Sequence, residues 1–376
     1  MRRTGDEPKV AIVTPVYNGA AFLADAVESV LSQSYANWEY VIVDNGSTDA
    51  TFEIALQYAK RDGRIRAVRT LPHLPIIENW NRALGLVAPD AEYIKELHAD
   101  DLLMPNCLAA MVTVLERHPG AGMAGSYCLY DAAVTNIGVS LGKELVAGAE
   151  VIRRTLIGEW WLFGAPSNVM IRASVLRAMG PEVYDCSLRH ADLDLWYRIL
   201  ERHDFGFVHQ VLSCERTHDE SQTNTFTARY STLALEHFGF LRRFGPRLLD
   251  RDTFARAHRR LRRDYRRRIA RRMLGGAGRE YWAYQKRRLA AFDYHLGPSD
   301  LVAGLFAEIG RWLLDAQHAA SSRAKLAEKL VRRASQLAHV WSRAAQRALA
   351  ARHLVLRQRF YQALWRPRFD RASSSF

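Results

Sequence analysis

The segment Trp38-Glu39-Tyr40-Val41-Ile42-Val43-Asp44-Asn45-Gly46-Ser47-Thr48-Asp49 carries the reading of the fold. All of its first six residues except Glu39 are aromatic or β-branched, which is the composition of a buried strand. The six that follow are turn and capping residues, so the strand empties into a polar loop from which a helix over 50–60 starts. The same rhythm extends to either side. Val10-Ala11-Ile12-Val13-Thr14 reads as a first strand ended by Pro15, and a helix over 21–33 follows with Phe22, Ala26, Val27, Val30 and Leu31 at helical spacing. A third strand over 65–68, a helix over 77–86 and a fourth strand over 92–97 complete it, and the fourth empties into His98-Ala99-Asp100-Asp101. Pro105 then opens a helix that ends near Gly120. Strands alternating with helices predict an α/β fold with a mostly parallel sheet. The polar loops after strands one, two and four fall on the carboxyl edge of that sheet, where open α/β folds bind ligands. Residues 121–172 are less regular, with strands expected at 123–130 and 167–171 around the aromatic cluster Trp160-Trp161-Leu162-Phe163, and 189–201 reads as a helix.

With 376 residues, 48% of them hydrophobic and 25% charged, the chain is long enough for two folded domains, and disorder throughout is excluded. No apolar run approaches the roughly 18 residues of a membrane-spanning helix, and the first seven residues lack a signal peptide's apolar stretch. The expectation is a cytoplasmic protein, or one held peripherally on the cytoplasmic face of a membrane. Cys107, Cys128, Cys186 and Cys214 have no CxxC spacing, which argues against a zinc knuckle or a disulfide framework. The net charge of +13 is divided unevenly: residues 1–230 hold 21 Lys+Arg against 29 Asp+Glu, so all of the positive excess lies beyond them. Strand patterns stop near Phe226, and ten arginines occupy the seventeen residues 256–272. A front domain over 1–225 and an Arg-rich, all-α C-terminal region over 226–376 are therefore expected.

Adjacent carboxylates such as Asp100-Asp101 at a strand end repel one another unless a cation lies beside them. Hard oxygen ligands on a short loop suggest Mg²⁺ or Mn²⁺ bridging a diphosphate, and a solvated capping turn before Pro105 is the bland alternative. The loop 44–49 offers acceptors for the base or ribose of a nucleoside, although Asx-rich loops of this kind also occur with no ligand. Tyr17, in the turn Thr14-Pro15-Val16-Tyr17-Asn18-Gly19, would lie beside it and could stack on a base.

In this order and spacing, Val13-Thr14-Pro15-Val16-Tyr17-Asn18-Gly19, Val43-Asp44-Asn45-Gly46-Ser47-Thr48-Asp49 and His98-Ala99-Asp100-Asp101 resemble the motifs of glycosyltransferase family 2 over roughly residues 8–225. The resemblance implies a GT-A, Rossmann-like nucleotide-diphospho-sugar transferase domain that inverts the sugar linkage. It implies a nucleotide-sugar site of Thr14, Pro15, Tyr17, Asp44, Asn45, Ser47, Asp100 and Arg216, and a metal site of Asp100, Asp101 and His218 for Mg²⁺ or Mn²⁺. His98 departs from the family pattern, standing where many members have the first Asp of the DXD motif. Ala191-Asp192-Leu193-Asp194-Leu195-Trp196-Tyr197-Arg198 resembles the helix that carries the family's catalytic base, which assigns the base to Asp192, with Ala191 where many members have Glu. A carboxylate able to take an acceptor's proton suits that chemistry, while a carboxylate interacting with the helix dipole is the structural alternative. Cys214-Glu215-Arg216-Thr217-His218 resembles a segment that closes over the diphosphate. Lys95 and Arg172 read as structural or acceptor-side residues, and the Trp160, Trp161 and Phe163 cluster as either a sugar platform or core.

The expected partners are a nucleotide-diphospho-sugar donor, UDP being the commonest carrier, and a glycan or lipid-linked acceptor in the assembly of a bacterial cell-surface polysaccharide. An apolar stripe through Leu326, Leu330, Leu337, Trp341, Ala344 and Ala348 beside basic residues predicts an amphipathic helix. That region reads equally as a contact with an anionic membrane or as a bundle that packs on the front domain or self-associates. The alternative to an enzyme is a nucleic-acid-binding protein with a degenerate nucleotide domain, in which Tyr265, Tyr281, Trp282 and Tyr284 would stack on bases. No RRM, KH or zinc pattern accompanies it.

Overall fold

The computed structural model describes residues 7–218, 226–295, 297, 300 and 302–308. The chain divides into two compact units, Met1–Ala257 and His258–Phe376. In the first unit the strands are β1 (Val10–Val16), β2 (Trp38–Asp44), β3 (Ile65–Arg69), β4 (Tyr93–Glu96), β5 (Leu102–Leu103), β6 (Ala121–Tyr130), β7 (Ala133–Thr135), β8 (Leu145–Val146), β9 (Val169–Arg172) and β10 (Asp204–Glu215). Its helices are α1 (Leu23–Leu31), α2 (Thr51–Arg61), α3 (Ile76–Leu84), α4 (Cys107–Arg117), α5 (Gly148–Leu156), α6 (Ala173–Arg177), α7 (Ala191–Leu200), α8 (Ala228–Tyr230) and α9 (Thr232–Leu248). Helix α10 (Arg251–Leu274) begins in the first unit, and α11 (Arg279–Ala291) lies in the second. The unit boundary thus falls beyond α9, whereas the sequence pattern places the change at residue 226.

One sheet runs in the order β3-β2-β1-β4-β9-β6-β10-β5, with β7 on β6 and β8 on β10. Strands β3, β2, β1 and β4 are parallel, as the alternating pattern predicts. Beyond β4 the sheet is mixed, because β9 enters antiparallel between β4 and β6. Strand β1 continues through Pro15 to Val16 where the sequence predicts a stop. Its pairing with β4 ends at Val13 and Glu96, so Pro15 faces a ladder partner on the β2 side only, and its missing N–H is tolerated. This register brings Val16, Asp44 and Arg69 abreast at one edge, with His98 to Asp101 following the end of β4.

The core beneath that edge is apolar and closed. Leu23, Ala26, Val27 and Val30 from α1 and Leu108, Met111, Val112 and Leu115 from α4 pack with Val10, Ile12, Tyr40 and Ile42 of the central strands. Burying one such aliphatic side chain stabilises the fold by about 1.5–3 kcal/mol.

In the second unit the arginine-rich helix has acidic partners of its own. Arg262 Nη2 lies 2.8 Å from Asp300 Oδ1, Arg266 Nε donates to the same oxygen at 2.6 Å, and Arg271 Nε lies 2.6 Å from Glu308. Tyr265 and Tyr281 are buried, and the Tyr265 hydroxyl donates to Gln285 at 2.6 Å. Both rings are thus turned inward, away from the base-stacking role that a nucleic-acid ligand would need. The stripe from Leu326 to Ala348 lies outside the described residues. Among the described residues, no helix is long and apolar enough to cross a membrane.

Ile12 is fully buried at the centre of the sheet. Ile12→Ala is expected to lower the unfolding free energy by about 2–5 kcal/mol in chemical denaturation while leaving the far-ultraviolet circular dichroism of the native protein unchanged.

Candidate active site

The loops after β1 and β2 are fastened to each other. Asn18, in the left-handed region at φ 51°, donates its N–H to Ser47 Oγ at 2.9 Å and accepts the Thr48 N–H at 2.9 Å. The Gly19 N–H donates to Thr51 Oγ1 at 2.8 Å, and the Ala20 N–H to Asp49 Oδ2 at 3.1 Å. Gly46 adopts φ 74°, a conformation that a side chain would strain, and it permits the turn that brings Ser47 back toward Asp44. Asp44 is fully buried, accepts the Ser47 N–H and pairs with Arg69 Nε at 3.2 Å. The Asn45 side chain is committed to Leu74, donating to its carbonyl at 2.8 Å and accepting its N–H at 2.9 Å. Thr14 donates to the Leu97 carbonyl at 2.6 Å and shares a 2.8 Å hydrogen bond with the Tyr40 hydroxyl, while Pro15 is buried beside it. Tyr17 is well exposed, at 49%, with its ring 4.4 Å from that of His73.

At the end of β4 the acidic pair is brought together with groups from three other parts of the chain. One ligand atom each from His98, Asp100 and Asp101 lies within 4.8 Å of the others. Asp101 is nearly buried and accepts a 2.5 Å hydrogen bond from Ser167 Oγ, which also accepts the His98 N–H at 3.0 Å. Burial, and then the neighbouring Asp100 charge, push the Asp101 carboxyl well above the usual carboxylate range. Burial lowers the pKa of His98, which favours a neutral imidazole with a free lone pair. Its Nε2 is buried with no hydrogen-bond partner among the described residues. Asp100 Oδ2 lies 3.0 Å from His218 Nε2, and the Asp100 carbonyl accepts Arg216 Nε at 2.5 Å. Arg216 also reaches Asp25 at 2.7 Å, which ties the end of β10 to α1.

These residues fit a divalent cation. Three potential donor groups converge: the His98 imidazole, whose buried Nε2 has no hydrogen-bond partner among the described residues, and two carboxyls, one of which an adjacent positive charge would restore to its ionised form. His98 thus stands with the two aspartates in place of the absent carboxylate, while His218 adjoins Asp100 from outside the triad.

Asp192 sits in the first turn of α7, and its Oδ1 accepts the Leu193 N–H at 2.8 Å. Its carboxyl is pushed up to about 7, by burial first and then by the facing carboxylates of Glu236 and Glu215, against the Leu193 hydrogen bond that lowers it. Asp194 turns away from it into two arginines, Arg198 at 2.7 Å and Arg243 at 2.6 Å. Glu96, within electrostatic range of Asp192, is buried on β4, where its Oε2 accepts the Tyr184 hydroxyl at 2.6 Å and its Oε1 has no partner among the described residues. Burial holds the Glu96 carboxyl up at about 8. Trp80 of α3 lies between these groups, its ring 5.2 Å from His98 and 5.3 Å from Tyr184.

Four residues of this site carry no sequence expectation: Glu96, Tyr184, Trp80 and Ser167. Glu96 left a trace, since a charged residue within the apolar strand Tyr93-Ile94-Lys95-Glu96 is anomalous in a sheet covered on both faces. Lys95 is fully buried and holds the Ser167 and Val169 carbonyls at 2.5 and 3.2 Å, and Arg172 donates to the Ala121 carbonyl at 2.7 Å. The aromatic cluster divides: Phe163 is core, 4.9 Å from Trp196, and Trp161 is 38% exposed.

A model of the family described as glycosyl transferase family 2 matches residues 11–180. EpsE of Bacillus subtilis (strain 168), whose name assigns it as a glycosyltransferase, is 32% identical over 206 residues, covering 53% of this chain and 69% of EpsE. Among solved structures, residues 1–349 of S. aureus TarS in complex with UDP superpose with a TM-score of 0.52 at 15% identity, covering 87% of this chain and 91% of that one. The mannosyltransferase PcManGT from Pyrobaculum calidifontis, in complex with GDP-Man and Mn²⁺, gives a TM-score of 0.51 at 16% identity, over 81% and 88% of the two chains. At these identities the two structures establish the GT-A-like fold alone.

Glu96 retains its proton in the folded protein up to about pH 8, whereas the unfolded chain releases it near 4.5. The folded state therefore binds the extra proton between these values, and stability falls as pH rises through that window. Glu96→Gln lacks this linkage, so its melting temperature relative to the wild type is expected to rise from pH 5 to about pH 8 and to level off above it.

Proposed function

Because the chain belongs to glycosyltransferase family 2, we propose that it moves a sugar from a nucleotide-diphospho-sugar, UDP-linked in the first instance, to a hydroxyl of a glycan or lipid-linked acceptor in cell-surface polysaccharide assembly. The observation that supports this most strongly is the convergence of His98, Asp100 and Asp101 at the mouth of the sheet, beside the loops that follow β1 and β2.

In this reading Tyr17 and the fastened loops carrying Thr14, Pro15, Asp44, Asn45 and Ser47 form the wall for the nucleoside. Tyr17 offers a ring, and the others hold that wall rigid through the hydrogen bonds described above. His98, Asp100 and Asp101 would hold Mg²⁺ or Mn²⁺, with His218 beside Asp100. When bound, the cation offsets negative charge on the donor's diphosphate and on the nucleoside diphosphate that departs. Arg216, whose Nε donates to the Asp100 carbonyl, would add a second positive charge on the same side. Asp192 accepts the proton of the acceptor hydroxyl as that oxygen bonds to the anomeric carbon and the bond to the diphosphate breaks on the opposite face, which inverts the linkage. A carboxyl pushed up to about 7 is a stronger base than an ordinary aspartate and is still largely ionised in mildly alkaline solution.

The test is release of nucleoside diphosphate from UDP-GlcNAc, GDP-mannose and a dTDP-sugar, with water as the default acceptor, in Mg²⁺, in Mn²⁺ and in chelator. One donor is expected to be turned over, only with a divalent cation, at a rate that climbs with pH through about 7 and then levels off as Asp192 ionises. Asp192→Asn is expected to lower that rate by about 100-fold or more. Turnover that is indifferent to chelator, or undiminished in Asp192→Asn, would contradict the proposal.

A further inference from the structure

We propose that Glu236 of α9 is a positioning residue for Asp192, so that the catalytic centre includes a helix far beyond the matched residues 11–180. The inference rests on the reading of Asp192 as the base.

Helix α7 starts without a side-chain cap of its own: His190, its N-cap residue, makes no side-chain capping hydrogen bond. The holding group comes instead from α9. Glu236, 1% exposed, accepts the Arg189 N–H on Oε1 at 2.8 Å and the His190 N–H on Oε2 at 2.7 Å. Both carboxylate oxygens are thus used on successive peptides immediately before the turn that carries Asp192, and a rotation of that turn would break one bond or the other. Charge-assisted bonds of this kind are about twice as strong as neutral ones.

Two further grips come from the same helix. Thr232 Oγ1 lies 3.0 Å from His190 Nε2, and Arg243 Nη1 donates to Asp194 at 2.6 Å. Residues 232, 236 and 243 are spaced to fall on one helical face, so a single face of α9 holds α7 on both sides of Asp192. Around the Asp192 carboxyl stand Glu236 from α9, Glu215 from β10, and Glu96 from β4 with the Tyr184 hydroxyl. Of the first two, Glu236 exerts the larger effect on Asp192, in the direction that keeps its proton. Glu236 therefore acts on the base twice, through the backbone that aims it and through the charge that strengthens it.

The experiment uses the full chain labelled with [4-¹³C]aspartate, with Asp192→Asn to assign the Asp192 carboxyl signal, alongside release of UDP from UDP-GlcNAc and of GDP from GDP-mannose. Glu236→Gln removes the charge and one acceptor, and Glu236→Asp keeps the charge but withdraws it by one methylene. Both variants are expected to bind the nucleoside diphosphate as the wild type does and to lose about tenfold or more in turnover. In Glu236→Gln the Asp192 titration midpoint and the acid limb of the rate profile are expected to move down together, whereas in Glu236→Asp the midpoint stays in place. Wild-type turnover and an unmoved midpoint in Glu236→Gln would overturn the proposal; if that variant does not fold, wild-type turnover in Glu236→Asp overturns it. Undiminished turnover in Asp192→Asn would instead reject Asp192 as the base, and the carboxyl titration would still report whether Glu236 governs it.

Discussion

Asp100 and Asp101 place two carboxyl groups next to each other at the end of a buried strand, and one of them is almost entirely out of water. Holding both charges there without compensation is costly, and the surroundings of the pair consist of the means of compensation. Ser167 donates to Asp101, His218 lies against Asp100, Arg216 binds the Asp100 backbone, and burial with Asp100's charge keeps Asp101 biased toward its proton. Beneath them the buried Lys95 holds the turn that carries Ser167. The arrangement is poised for one further positive charge, which is the property a diphosphate site at the edge of an α/β sheet requires.

The rest of the fold makes that edge rigid. The parallel register of β1, β2 and β3 sets Val16, Asp44 and Arg69 side by side. Short side chains in the two following loops then bond to each other, with the Tyr17 ring exposed beside them. On the other side α7 presents Asp192, and its orientation is inherited from α9 through Glu236 and Arg243. In the proposed reading, nucleoside wall, acidic turn and base are therefore carried by separate elements, each fixed by polar contacts within the protein.

Much of the front half was legible because β1 and β2 are buried on both faces and read as apolar runs, each ended by turn residues. Strand β10 was less so: Gly206, His209 and Gln210 interrupt it, and its pairing with β6 carries register shifts at Asp204/Phe205 and Val208/Val211. Helix α5 begins at Gly148, which does not announce a helix start. Within the site, the motif residues fell where the pattern placed them, at the strand ends, but spacing does not reveal what a side chain is bonded to. Thr14 and Asn45 carry ligand-like polar groups that the fold uses internally. The contacts of Glu236 with residues 189 and 190 span 47 and 46 positions in sequence and leave no periodic trace. His98 was visible as a departure from a motif, and only its unpartnered nitrogen beside two aspartates gives that departure a chemical meaning.

The measurement that bears most directly on this account is calorimetric titration of the full chain with UDP and with GDP, each with Mn²⁺ and with chelator, for the wild type, His98→Ala and Asp100→Ala. Binding of one nucleoside diphosphate that requires Mn²⁺, is weakened in His98→Ala and is lost in Asp100→Ala is the predicted result. Equal binding with and without the cation, unaffected by either substitution, would contradict it.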